Sequence, residues 1–246
     1  MSPQAEQGAN MRAWALSVLL LLNAASALAQ PAGIPADRFP KPGRPVASII
    51  SDRWSSEDTR EHVGEAAAVM RLLDIRPGMA VADIGAGSGY YTVRLSRRVG
   101  PTGRVLAEDV MPDYLAGLQR RVAAEGLGNV TLALGEAHDP RLPPASVDVA
   151  LLVHMYHEID QPFGLLVNLL PALRPGARVA ILDANRPTLQ HGTPPALLEC
   201  ELRAVGYRQV GFHPLENGAT YLAVFAPPSQ APAPDRIVPC QGEAAQ

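Results

Sequence analysis

The sequence predicts an α/β fold: a mostly parallel sheet with helices on both faces and an antiparallel hairpin at its C-terminal end. Three observations lead there. Short apolar runs alternate with helix-length amphipathic stretches from Glu57 onward, the pattern of strands joined by crossover helices. The first of these strands runs directly into a turn with glycines at 85, 87 and 89. The last two strand-like runs are separated only by Pro214-Leu-Glu-Asn-Gly218, whose Asn-Gly pair favours a tight reversal and leaves no room for a crossover helix.

In chain order, helical spacing predicts a helix from about Glu57 to Leu73, followed by a strand from Ala80 to Ile84. A helix over Tyr90 to Val99, a strand over Val105 to Asp109, a helix from Pro112 to Glu125 and a strand from Val130 to Leu134 continue the alternation. The second half adds a strand over Val147 to Val153, a helix near Phe163 to Leu173, a strand over Arg178 to Leu182 and a helix around Cys200. Tyr207 to His213 and Ala219 to Phe225 then form the hairpin, so one of them runs against the rest of the sheet.

Composition bounds what this fold can do. The 246 residues are 47% hydrophobic and carry a formal net charge of -3, enough for one α/β domain with a sizeable core. Basic pairs such as Arg97-Arg98 and Arg120-Arg121 fall on predicted helix faces and make no stripe for a phosphate backbone, so nucleic acid is not an expected partner. The oligomeric state is not readable from the chain.

The N-terminus follows a different plan. Arg12 precedes an apolar run from Ala13 to Leu22, and Ala27-Leu28-Ala29 offers a small-x-small cleavage site, the layout of a secretory signal peptide over residues 1–29. The apolar run is shorter than the roughly 20 residues of a membrane span, so export to the periplasm is the expectation and an uncleaved anchor the alternative. Residues 30–50, with five prolines among them, read as a linker, 51–226 as the folded domain and 227–246 as a disordered tail. Cys200 reads as a small buried hydrophobe and Cys240 lies in the tail; an oxidising compartment permits a bond between them, and nothing in the spacing requires it.

Chemistry concentrates after the first strand, in Val81-Ala-Asp-Ile-Gly-Ala-Gly-Ser-Gly-Tyr-Tyr91. Glycines at 85, 87 and 89 let the backbone turn tightly and approach a ligand, while the first amides of the following helix point at it. A dinucleotide fingerprint would need a third small residue at position 90, which is Tyr90. One βα unit later, Asp109 stands 20 residues beyond Gly89, where a carboxylate can accept from both ribose hydroxyls. Its neighbour Glu108 reads better as a solvated turn residue.

The Asp83-x-Gly-x-Gly-x-Gly89 pattern resembles motif I of class I S-adenosylmethionine-dependent methyltransferases, and Val105-Leu-Ala-Glu-Asp109-Val-Met-Pro112 resembles the second motif. Arg76-Pro-Gly, Val99-Gly-Pro-x-Gly103 and Leu173-Arg-Pro-Gly176 extend the likeness from about Trp54 to Phe225. That resemblance implies a Rossmann-like, seven-stranded sheet and S-adenosylmethionine as cofactor, held by Asp83, Gly85, Gly87, Gly89 and Asp109. It also implies Glu136 at the adenine amino group, with Asp139 as rival, and His154 beside the methionine part.

His154-Met-Tyr-His-Glu-Ile159 carries the densest set of reactive side chains. Were it one helical turn, His154 would lie near His157 and Glu158. The order His-x-x-His-Glu is not the His-Glu-x-x-His zinc motif, and no third ligand stands at useful spacing, so no metal is expected. His157 is the candidate base for an acceptor proton, and a histidine satisfied in the core is the competing reading. Acceptor choice should rest with Trp54, residues 154–158 and the stretch Asp183 to His191, which without an inserted domain suit a small or protruding acceptor. A non-catalytic binder of a nucleoside-like ligand and, less favoured because of Tyr90, an NAD-dependent oxidoreductase are the alternatives.

The export reading makes the first prediction. Mature protein from the native host should begin at or near Gln30, as read by intact mass; soluble cytosolic protein that keeps residues 11–29 would count against it.

Overall fold

A computed structural model describes residues 32–49 and 56–242, so the signal-peptide reading and Trp54 lie outside the described residues. The strands β1 (Ala80–Ile84), β2 (Arg104–Asp109), β3 (Val130–Leu134), β4 (Val147–Val153), β5 (Leu173–Ala184), β6 (Arg208–Leu215) and β7 (Thr220–Ala226) form one seven-stranded sheet. Its order is β3-β2-β1-β4-β5-β7-β6. The first five strands are parallel, and β7 pairs antiparallel with both β5 and β6. The closing hairpin turns through Glu216 and Asn217, which adopt φ of 47° and 58° as a tight reversal requires.

Side-chain alternation along buried strands divides the core in two. In β4, Val149 and Leu151 pack with Val69, Leu73 and Leu95, while Ala150 and Leu152 face Phe163, Leu166 and Leu202. The helices α2 (Glu65–Leu72) and α3 (Tyr90–Val99) therefore cover one face, and α5 (Pro162–Leu169) and α6 (Pro195–Ala204) the other. Helix α4 (Pro112–Ala124) closes the β2 side by setting Leu118 against Ala86 and Ala107.

The structure differs from the sequence reading in its first helix and at both ends of the domain. The helix expected from Glu57 to Leu73 is two helices, α1 (Glu57–His62) and α2, because Gly64 takes a left-handed φ of 65° between them. The Pro-rich segment expected as a linker lies against the domain over residues 32–49: Phe39 is buried, and Gly33 and Ile34 donate their amides to Asp139 Oδ2 (2.9 Å) and Asn168 Oδ1 (2.8 Å). Apart from a 3-10 turn over Ala36–Arg38 the segment makes no regular structure, and these side chains satisfy part of its otherwise unpaired backbone.

The segment expected as a disordered tail is also packed, as far as residue 242. Ile237 is buried, Gly43 pairs with Gln241, and Cys240 is bonded to Cys200 on α6 with a Cα–Cα distance of 6.1 Å. Beside that bond, buried Arg44 meets Glu201 at 3.0 Å. Among the described residues, no helix is long and apolar enough to cross a membrane.

The disulfide closes a loop of 40 residues, for which the chain-entropy estimate is about 3–4 kcal/mol. Cys240→Ser, or reduction of the native protein, should lower the free energy of urea unfolding by that order. An unchanged midpoint would show that the bond contributes nothing to stability.

Candidate functional site

Parallel register brings the reactive loops together. Ile84 lies opposite both Glu108 and Leu152, so the loops after β1, β2 and β4 leave the sheet on one edge, at the strand carboxyl ends where ligands bind in open α/β sheets. Between them opens a cleft of about 400 Å³, lined among others by Gly85, Gly87, Asp109, Glu136, His154 and His157.

The glycine loop is shaped by what surrounds it. Gly85 has a φ of 69°, and a Cβ there would meet Met155 at 3.0 Å; Gly89 has a φ of 88°, and a Cβ would stand 2.3 Å from Leu118. Both glycines admit a close approach that any side chain would obstruct. Asp83 beneath the loop receives the Thr92 hydroxyl at 2.6 Å, tying β1 to the first turn of α3. Burial pushes its carboxyl up to about 6, with the Thr92 hydrogen bond working against that rise.

At the end of β2 the two acids divide the work. Asp109 accepts the Gly87 amide on Oδ2 and the Met111 amide on Oδ1, each at 2.8 Å, so it braces the glycine loop from the neighbouring strand. Glu108 is not the solvated turn residue the sequence suggested. It is 2% exposed, lines the cleft and has Oε1 buried without a hydrogen-bond partner; burial and then the Asp109 charge push its pKa well up. The reason is β2 itself, an interior strand whose last residues stay under the loops on both faces.

Glu136 lines the cleft wall after β3, half exposed and paired with Arg141. Its rival Asp139 turns elsewhere, accepting the amides of Gly33 on Oδ2 and of Arg141 on Oδ1.

Residues 154–158 do not form one helical turn. His154 takes a left-handed φ of 51° and only Tyr156 to Glu158 make a short 3-10 turn, so the two histidines point to different partners. His154 Nε2 lies 3.0 Å from Glu65 Oε2, and Glu65 Oε1 accepts from Arg60 and from the Tyr91 hydroxyl. Burial alone would raise the Glu65 carboxyl; the hydrogen bond and charge of His154, with Arg60, outweigh it and hold the group at about 2. No periodicity joins Glu65 to His154 across 89 residues, and the sequence reading missed Glu65.

His157 Nδ1 lies 3.0 and 3.1 Å from the two oxygens of Asp183, a fully buried carboxylate that also takes the Thr193 hydroxyl at 2.7 Å and the Ala184 amide at 2.8 Å. An imidazole held by its Nδ1 presents Nε2 outward. The His191 ring stands edge-on to it at 5.5 Å between centroids. The sequence reading placed Asp183 and His191 in the acceptor stretch without pairing either with His157; their positions at the end of β5 and in the loop after it were the available signal.

Comparison with known proteins bears on this geometry. Residues 81–176, from β1 into β5, match a family model described as a methyltransferase domain. This stretch is thus similar to methyltransferase domains, and the fold around it is similar to that of an S-adenosylmethionine-dependent one. A solved S-adenosylmethionine-dependent methyltransferase from Aquifex aeolicus is 25% identical, covers 68% of this chain and 92% of its own, and superposes with a TM-score of 0.63. Demethylmenaquinone methyltransferase of Bacillus cytotoxicus is 26% identical over 148 residues, 58% of this chain and 62% of that protein. The tRNA (adenine(58)-N(1))-methyltransferase of Thermus thermophilus is 35% identical over 112 residues, 45% of this chain and 42% of that protein. The matches thus span less than two thirds of these curated relatives, and Asp183 and His191 lie beyond the matched domain.

Proposed function

We propose that this protein is an exported methyltransferase that moves the methyl group of S-adenosylmethionine to a small acceptor. The observation that carries the reading is the His157–Asp183 pair, set at the rim of a cleft whose floor is the glycine loop. The donor set suits the cofactor: the loop at 85–89 for its methionine end, Asp109 for the ribose hydroxyls and Glu136 for the adenine amino group. His154, tied to Glu65, fixes the cleft wall between cofactor and acceptor.

The bound cofactor supplies an electrophilic methyl on a sulfonium, so the chain has chiefly to orient the acceptor and accept its proton. Asp183 keeps the proton of His157 on Nδ1 and leaves Nε2 as the acceptor-facing lone pair. The connections after β4 and β5 carry no inserted domain over that nitrogen, which suits a small or protruding acceptor. Export is supported by the layout of residues 12–29 and by the Cys200–Cys240 bond, which persists in an oxidising compartment.

Two measurements test the reading. Asp109→Ala should weaken S-adenosylmethionine binding by about 2 kcal/mol or more in calorimetric titration, whereas unchanged affinity would transfer the ribose role to Glu108.

His157→Ala should leave cofactor affinity nearly intact and lower methyl transfer roughly a hundredfold or more. Loss of folding or of cofactor binding would instead make His157 a structural residue. A wild-type chain that binds the cofactor yet methylates nothing in a screen of phenols, thiols, quinols and amines would favour a binding protein. Transfer to tRNA in the same screen would overturn the small-acceptor assignment.

A further inference from the structure

His157, Glu158 and His191 converge at the cleft rim. One imidazole nitrogen or carboxylate oxygen from each lies within 4.8 Å of the others. His157 contributes Nε2, since Nδ1 is engaged by Asp183, and this nitrogen stands 4.0 Å from Glu158 Oε1. The sequence alone offered no third ligand to go with His157 and Glu158; the fold brings one from the far side of β5.

We propose that these three side chains form a binding site for a divalent transition-metal ion of the zinc class. Two imidazoles and one carboxylate suit such an ion, whereas magnesium and calcium prefer oxygen ligands alone. Bonds of about 2.0–2.2 Å around a tetrahedron set ligand atoms roughly 3.3 Å apart. The 4.0 Å between His157 Nε2 and Glu158 Oε1 is wider than this, so binding would draw the donors together. His157 is already fixed in the manner of a metal-bound imidazole, because a carboxylate on its far nitrogen sets the tautomer and the ring orientation. His157 and Glu158 also line the cleft, so the fourth position of the ion faces open space.

An ion on Nε2 occupies the nitrogen that otherwise takes the acceptor proton, and the two uses exclude each other. The binding claim itself stands apart from methyl transfer. Tag-free, chelator-stripped protein titrated calorimetrically with zinc chloride should bind one equivalent saturably, and titration with magnesium chloride should give no comparable heat. Glu158→Gln and His191→Ala should each weaken zinc binding at least about tenfold, while His62→Ala on the exposed surface of α1 leaves it unchanged. Absence of saturable zinc binding, or affinity indifferent to both cleft substitutions, overturns the site. Should His191→Ala fail to fold, near-isosteric Glu158→Gln decides alone. Zinc binding without any methyl transfer would keep this site and remove the proposed activity; transfer by a chain that binds no zinc would do the reverse.

Discussion

Parallel pairing of β1 with β2 and β4, and of β4 with β5, sends every loop that follows these strands to a single edge of the sheet. The glycine loop, Asp109, the 154–158 turn and Asp183 all depend on that alignment. A slip of one residue would exchange the two faces of a strand, burying what should face the cleft. The cleft is thus a consequence of the core.

Charge is managed differently in its two halves. Asp83, Glu108 and Asp109 crowd beneath the glycine loop, where burial raises Asp83 and Glu108 and backbone amides of Gly87 and Met111 steady Asp109. On the other side, Glu65 is half-buried among His154, Arg60 and Tyr91, and cationic partners outweigh desolvation. The first half therefore favours ligand groups that donate hydrogen bonds, and the second is a pre-satisfied wall. A donor-rich nucleoside moiety fits the first.

The two segments outside the sheet act on the same turn. Arg44 donates to the carbonyls of Tyr156, His157 and Ile159 while its guanidinium meets buried Glu201. Glu201 adjoins Cys200, and Gly43 pairs with Gln241 beside Cys240. The N-terminal segment, the tail and α6 thereby brace the 3-10 turn that presents His157. An Arg in that place is costly to bury alone, and its several acceptors are what make it tolerable.

Elements with strong local signals were legible in the chain: β1, α3 and β3 begin and end where apolar runs meet glycine or proline, and the hairpin follows from Asn217-Gly218. The glycine loop and Asp109 were legible as well, because they lie within one βα unit of each other, where spacing is nearly fixed by geometry. What the chain did not disclose was every pairing across long separations. Asp183 with His157, His154 with Glu65, and Arg44 with Glu201 join residues 26, 89 and 157 positions apart, and only the sheet order decides such meetings. Composition likewise suggested a free linker and tail, since it counts prolines and not the partners awaiting an extended backbone. The sequence by itself determined the elements and the glycine loop through local periodicity and turn chemistry. Tertiary structure alone decided which buried charge would meet which, because that depends on where strands end in space.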